Sequence, residues 1–503
     1  MKSEKARLLE LMLKEKGIEL RRPTSIPRRR TSKPCPLSFA QQRLWFLDQM
    51  GSGLTVYNMP YPVRVQGKLN IKILEDTFTE IIRRHESLRT KFINLDGEPK
   101  QVISAPCQFR LPVVDLRGLA DKRRESEMLS LVRQEANYPF DLANGPLLRV
   151  CLLHLDAEDY AVLFTMHHII CDGWSLTVML NEINRVYEVF CSGIGSPLPE
   201  LPVQYADFAC WQRQWLQGVV LEEHLSFWRE RLEGRPSILE LPTDYPRPAI
   251  KTYHGASLGM SLPAALHNKL KQLCRDEEVT LFSCLLAAFH VVLYRYTGEE
   301  DIVIGTSVAN RTSPETEKLI GFFVNLLALR TNVSGDPSCR ELIHRVQEVV
   351  LDAYAHQQLP FEKLVQEIYQ QRTLNHTPLF QVFFMFMSSM EESEGVAGLR
   401  MTSIPIGMST AKFDVSFALS EGANGLFGSI EYDVDLFDGA RIATMGEHFK
   451  RVLEQIAVKP GQAISDIHLL SDDETASLSP TDFPEADLTR EDFESILLEL
   501  ADD

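Results

Sequence analysis

Residues 160–175 read Tyr160-Ala161-Val162-Leu163-Phe164-Thr165-Met166-His167-His168-Ile169-Ile170-Cys171-Asp172-Gly173-Trp174-Ser175. The apolar, β-branched and aromatic run ahead of the histidines, itself preceded by Asp156, Glu158 and Asp159, has the pattern of a buried strand. Adjacent side chains of a strand point to opposite faces, so His167 and His168 cannot both look into one cavity; one works and the other supports. Asp172 and Gly173 mark a turn, and from Trp174 onward Val178, Met179, Ile183 and Val186 follow a helical period. A lone histidine at a strand end is more often a hydrogen-bonded structural residue than a catalyst. Here a carboxylate and a flexible glycine stand beside it, which makes an acid–base site a reasonable expectation. Opposed side chains, and the lack of any His-Glu-x-x-His or paired Cys-x-x-Cys, argue against a metal site.

A chain of 503 residues is too long for one ordinary core, and two lobes of about 200 residues each are expected. Its apolar runs are short and broken by charge, and the start, Met1-Lys2-Ser3-Glu4-Lys5, lacks the apolar core of a secretory signal, so a cytoplasmic protein without membrane spans is expected. The nine cysteines are odd in number and widely spaced, as reduced, buried small hydrophobes would be; Cys171, inside the central stretch, has no partner that would make it a nucleophile. The net charge of −17 is uneven: residues 1–33 carry +7 and 471–503 carry −11, which leaves −13 on the body. An acidic body argues against nucleic-acid binding.

Residues 1–33 read as a short amphipathic helix followed by a basic, proline-containing linker. The first lobe spans 34–199, opens with a helix capped by Ser38, and has a helix at 70–85 and strands at 101–104, 147–155 and 160–170. Residues 200–257, rich in tryptophan at Trp211, Trp215 and Trp228, are expected to link the lobes. The second lobe, 258–470, shows helical patterns at 264–296, 339–356 and 440–456 and strands at 301–308, 325–333 and 381–387, with a hairpin turn at 421–425. Residues 471–503 form an acidic tail; Thr489 with Asp492 resembles a capping box ahead of Phe493, Ile496, Leu497 and Leu500, a possible docking helix or one packed on its own domain.

His-His-x-x-x-Asp-Gly is the signature of the chloramphenicol-acetyltransferase-like superfamily, and the fuller Met166-to-Ser175 stretch resembles the condensation domain of nonribosomal peptide synthetases, in its L-donor subtype. Further stretches resemble the family's other motifs in order and spacing: Ser38 to Trp45, Arg84-His85-Glu86-Ser87-Leu88-Arg89, Tyr205-Ala206-Asp207-Phe208-Ala209-Cys210-Trp211, Ile320-Gly321-Phe322-Phe323-Val324-Asn325, His356 to Glu362 and Thr377-Pro378-Leu379-Phe380. The sequence departs at Leu326, where many relatives have Thr, and at Cys171, where Ser is common.

The resemblance implies an α/β (α+β) fold of two acetyltransferase-like lobes arranged as a V-shaped pseudo-dimer with one active site in a central tunnel. It implies an acyltransferase of peptide-antibiotic and other secondary-metabolite biosynthesis, in which an acceptor amine attacks a donor acyl thioester. The substrates ride on 4′-phosphopantetheine arms of donor and acceptor peptidyl carrier proteins, with no cofactor bound to the domain itself. By this resemblance His168 faces the tunnel as general base or amine-positioning group, His167 supports it, and the N–H of Gly173 is a candidate oxyanion donor. Asp172 forms a structural salt bridge with Arg89, while Arg84, Trp174, Ser175, Trp211 and Asn325 line the tunnel or position substrate. A monomer is expected that docks other synthetase proteins, through 1–33 and 488–503, without nucleic acid, membrane or metal. No carrier attachment serine, adenylation signature or thioesterase elbow is found, so the acyl groups must come from other proteins, whether to a stand-alone enzyme or an excised domain. Two other functions stay open: release of the acyl chain onto a free small amine or alcohol, and a catalytically silent recruitment domain of the same fold.

Overall fold

In the computed structural model the run ahead of His167 is the middle strand of the first lobe's main sheet, buried along almost its whole length. The structure describes residues 25–470 apart from 32, 52–54, 237, 369–374, 388–396, 408 and 423, so the helices expected in 1–33 and 488–503 lie outside the described residues.

The first half of the chain runs β1 (Cys35–Pro36), α1 (Phe39–Met50), β2 (Asn58–Gln66), α2 (Ile71–Arg84), β3 (Thr90–Leu95), β4 (Glu98–Ile103), β5 (Val113–Asp115), α3 (Asp121–Ala136), β6 (Leu148–Asp156), β7 (Asp159–His167), α4 (Gly173–Cys191), α5 (Tyr205–Trp215) and α6 (Gly218–Leu232). Strands β2, β7 and β6 pair antiparallel, β5 lies parallel on β6, and β1, β4 and β3 form a small separate sheet. The parity of β7 shows why its sequence is continuously apolar. Val162, Phe164 and Met166 point into the main core with Leu74 and Phe78 of α2, whereas Ala161 and Leu163 point to Met128 and Val132 of α3. A sheet covered on both faces needs no polar alternation.

The second half runs β8 (Gly255–Pro263), α7 (Ala264–Asp276), α8 (Leu281–Thr297), β9 (Asp301–Val308), β10 (Asn325–Asn332), α9 (Cys339–Ala355), α10 (Phe361–Ile368), β11 (Val382–Met387), β12 (Arg400–Ser403), β13 (Val415–Gly422), β14 (Gly425–Asp433) and α11 (Gly439–Val458). Its sheet has the order β10-β9-β11-β13-β14-β8, in which β11 is parallel to both neighbours and the other pairs are antiparallel. Strand β12 leaves this lobe and pairs with β2, so the second half of the chain covers an edge of the first lobe's sheet. The hairpin expected at 421–425 is present, with Gly422 facing Gly425.

One expectation changes. The helical pattern at 264–296 is two helices, because Glu278 takes a left-handed φ of 55° and Thr280 starts a new helix by accepting from the Ser283 N–H. Residues 200–257, expected to link the lobes, contribute to both cores: Tyr205, Phe208 and Trp211 to the first, Leu225, Trp228 and Leu232 to the second. Among the described residues no single helix is long and apolar enough to cross a membrane.

Candidate active site at the seam between the lobes

Strand β7 ends at His167, residues His168–Ile170 make one tight helical turn, and Asp172 then caps α4 by accepting from the Ser175 N–H at 2.8 Å. The turn reorients the backbone, so the two histidines part company. His167 is 4 % exposed, accepts from the Ile169 N–H at 3.1 Å and meets the ring of Phe140 edge-on. Burial is the main cause that pulls its pKa down to about 3, with His168, Lys412 and Arg149 acting in the same direction. It is a structural support.

His168 is half-buried at the seam, with its backbone N–H donating to the Tyr57 carbonyl at 2.9 Å. Its ring lies 4.8 Å from that of Phe322, which comes from the second half of the chain. Nδ1 is 2.8 Å from the Cys171 carbonyl. A carbonyl only accepts, so Nδ1 carries the proton and the neutral ring keeps its lone pair on Nε2. No described residue bonds Nε2. Burial pulls the His168 pKa down to about 4, Lys412 adds to this, and the Cys171 carbonyl and Asp172 oppose it. The imidazole is therefore uncharged at neutral pH and has one nitrogen free to accept a proton.

The expected Asp172–Arg89 salt bridge is not formed. Asp172, 2 % exposed, instead pairs with Arg311 at 3.1 Å and accepts from the Ser175 hydroxyl at 2.7 Å and the N–H groups of Phe323 and Val324 at 2.9 and 3.2 Å. Arg311 reaches it from the loop after β9, stacked over the Phe323 ring and also donating to the Leu319 carbonyl. Arg89 lies at the far side of its own short turn, donating to the Ser104 carbonyl and facing Glu86 at 3.7 Å. Asp172 therefore orients no imidazole; it ties the seam together.

Three further residues of the expected site are engaged within the fold. Arg84 is buried inside the first lobe, donating to both oxygens of Glu182 and to the Pro199 carbonyl, while His85 donates from Nε2 to the same carboxylate at 2.7 Å. Trp211 is 9 % exposed and stacks on Trp215 in the core. Asn325 is consumed in shaping the backbone after α9: its amide donates to the carbonyls of Gln357 and Leu359 and accepts from the Phe361 N–H. Trp174 and Ser175 do lie at the seam. The indole donates to the Glu317 carbonyl, and the Ser175 hydroxyl oxygen accepts from the Gly321 N–H at 3.0 Å. Gly173 is exposed at the first turn of α4 with open space around it, where its N–H has no helical acceptor.

Around His168 the separate sequence stretches meet. Ser38 bonds the Tyr205 hydroxyl, which donates to the Phe322 carbonyl at 2.6 Å, and Gln41 donates to the Ile169 carbonyl. Gly321 leaves no room for a side chain, since a Cβ there would stand 1.9 Å from the Tyr205 ring. Arg311, Tyr57 and Lys412 escaped the sequence reading; they sit in loops without a repeating pattern, and no local signal marks them. Cys171 is fully buried and burial pushes its thiol well above the ordinary value, the opposite of what a nucleophile needs. Among the described residues no cluster of His, Cys, Asp or Glu is arranged to hold a metal ion.

The family model described as "Condensation domain" matches residues 31–479. The chain belongs to the condensation-domain family. This condensation domain is 46 % identical over 475 residues to a linear gramicidin synthase of Brevibacillus parabrevis, a match that covers 94 % of the chain but 6 % of that synthase protein. The X-domain from teicoplanin biosynthesis superposes with a TM-score of 0.80 at 28 % identity, covering 89 % of this chain and all of that one. The first condensation domain of the calcium-dependent antibiotic synthetase, at 19 % identity and a TM-score of 0.76, covers 88 % of this chain and all of that one and shares the fold. The gramicidin synthase relatives are thus large proteins of which the chain spans less than a tenth.

Proposed function

We propose that this condensation domain forms an amide bond between a donor acyl thioester and an acceptor amine, both carried on 4′-phosphopantetheine arms of peptidyl carrier proteins. The observation that carries the reading is the His168 ring: Nδ1–H held by the Cys171 carbonyl, Nε2 free at the seam between the lobes. The amine nitrogen attacks the thioester carbonyl carbon, the C–N bond forms and the C–S bond breaks. The proton lost by nitrogen passes through Nε2 to the departing thiolate. A thioester is already activated, so the domain's task is to place the amine and take its proton as the tetrahedral species collapses. An imidazole that titrates near 4 is a weak base, which fits positioning and late proton transfer rather than full deprotonation beforehand. The Gly173 N–H, at the positive end of α4, suits the developing oxyanion. The L-configured donor, the cytoplasmic setting and docking through 1–33 and 488–503 belong to the same reading.

The X-domain likeness keeps one other function in view, a silent recruitment domain. Intact-mass analysis of products separates them. A donor-loaded carrier is offered an acceptor-loaded carrier and a panel of free amines, with His168→Ala as control. Transfer to the carrier-bound acceptor is the expected result. Transfer only to a free amine makes the domain a chain-releasing amide synthase, and equal inactivity of wild type and variant across the panel overturns acyl transfer.

A further inference from the structure

Helices cover one face of the second lobe's sheet. Phe384 of β11 and Phe417 of β13 meet Phe289 of α8 and Phe449 of α11, and Gly446 of α11 lies against Ile430 of β14. Side chains alternate along a strand, so Met385, Ser416, Ala418 and Ser429 point to the opposite face. The register sets them in rows. Ser416 stands beside Glu431, the next row outward holds Met385, Ala418 and Ser429, and the one after that Ser420 and Phe427. The face opens away from the seam, from Ser416 at 8 % exposed to Phe427 at 53 %.

The inner row belongs to the seam. The Lys412 N–H donates to Glu431 Oε1 at 3.3 Å, and the Lys412 side chain stands 5.4 Å from the centre of the Tyr57 ring in the first lobe. The Tyr57 carbonyl accepts from the His168 N–H at 2.9 Å, so direct contacts lead from His168 to this row. There the Ser416 hydroxyl is buried and has no hydrogen-bond partner among the described residues. Glu431 Oε2 also carries no hydrogen bond among them. A buried hydroxyl without a partner is destabilising, and its retention points to a group that arrives from outside the chain. One donor and one acceptor about 5 Å apart on one row suit the C=O and N–H groups of a peptide, whereas a hydrocarbon chain would satisfy neither. Outward from them Ala418 and Ser429 make a floor without bulk. From Ser416 to Ser420 the face runs about 13 Å, the length of roughly four residues of extended chain.

We propose that this open face is a binding subsite for the peptidyl chain of the donor, held extended with its backbone C=O and N–H groups on the Ser416 hydroxyl and the Glu431 carboxylate. This rests on the acyl-transfer reading given above. In that reading the donor brings the chain already assembled and the acceptor a single amine-bearing unit, so only the donor is long enough to run from the seam to Ser420. Recognition through backbone groups over small side chains selects for chain length rather than for side-chain identity.

The test uses the whole domain and carrier proteins loaded with an aminoacyl, a tetrapeptidyl or an octanoyl donor. Ser429→Trp, which adds bulk in the middle of the floor, is expected to lower the ratio of kcat/KM for the tetrapeptidyl donor to that for the aminoacyl donor about tenfold or more. Ser420→Trp, one row further out, serves should that variant fail to fold. Ser416→Ala is expected to lower kcat/KM for the tetrapeptidyl donor about two- to tenfold, the worth of one hydrogen bond, relative to the octanoyl donor, which has no amide to bond. An unchanged ratio in the tryptophan variant, or equal losses of tetrapeptidyl and octanoyl transfer in Ser416→Ala, overturns the subsite and leaves acyl transfer intact. Binding is read separately by calorimetry with a tetrapeptidyl-pantetheine amide, in which nitrogen replaces the thioester sulfur. Weaker binding to Ser429→Trp than to a wild type that transfers no acyl group removes the acyl-transfer reading while the face remains a peptide site. Equal binding to the two overturns the subsite whatever the activity.

Discussion

At the scale of single residues, chemistry and architecture are divided among neighbours in sequence. His168 keeps a free nitrogen while His167, Asp172 and Ser175 are bonded within the fold. Replacing His168 by Ala is expected to lower turnover about 10²- to 10⁴-fold with little change in melting temperature, measured on carrier-bound substrates beside thermal unfolding. Asp172→Ala leaves the Arg311 guanidinium buried without its anion and two N–H groups without an acceptor, a change that costs roughly 3–5 kcal/mol in comparable buried pairs. Arg89→Ala removes an arginine that faces Glu86 at 3.7 Å and should cost about 1 kcal/mol or less. Urea unfolding of the two variants checks the assignment; equal losses would restore Arg89 as the partner of Asp172.

Between elements, the seam is built from close approaches that tolerate no added volume. Segment 319–324 enters the first lobe's core through Leu319, Ile320, Phe322 and Phe323, and Gly321 passes against the Tyr205 ring of α5. Gly321→Ala is therefore expected to destabilise the domain by about 1–3 kcal/mol through overpacking and to disturb the hydrogen bond from Tyr205 to the Phe322 carbonyl. Because Phe322 packs on His168, the same variant should lose turnover as well as stability, whereas Gly259→Ala on β8, with open space around it, should change neither. Paired unfolding and turnover measurements on the two variants distinguish a seam effect from a general glycine effect.

Over the whole molecule, buried imidazoles govern the response to mild acid. Burial holds His167 at about 3 and His168, His290 and His356 at about 4, all below the ordinary 6.5. As pH falls below about 6.5 the unfolded chain binds protons that the folded one refuses, so stability is expected to decline from pH 7 to pH 5 and to be undiminished by these groups above pH 7. Glu431 and Asp433, raised by burial, act with the opposite sign, because their folded carboxyls take up protons before those of the unfolded chain do. Urea midpoints at pH 7, 6 and 5 provide the check, and a flat or rising series would contradict it.

Much of this was open to reading along the chain, where the information is local. The apolar run before His167 marked β7 and the period after Trp174 marked α4, whereas the divergence of His167 and His168 comes from the turn at His168–Ile170 rather than from strand alternation. Helix capping by Ser38 and Asp172 depends on residues within one turn, and the first was legible for that reason. The partner of Asp172 was not: Arg311 lies 139 residues away, and nothing local distinguishes it from Arg89. Nor were the bonds of Arg84 to Glu182 and of Asn325 to loop carbonyls, or the stacking of Trp211 on Trp215, legible along the chain, since they are decided by packing across the fold. The sequence by itself determined most of the elements and the family, because backbone periodicity and short motifs are written within a few residues. Only the tertiary structure decided which charge neutralises Asp172, because electrostatic partners are chosen by distance in space, and here Arg311 comes from the opposite lobe.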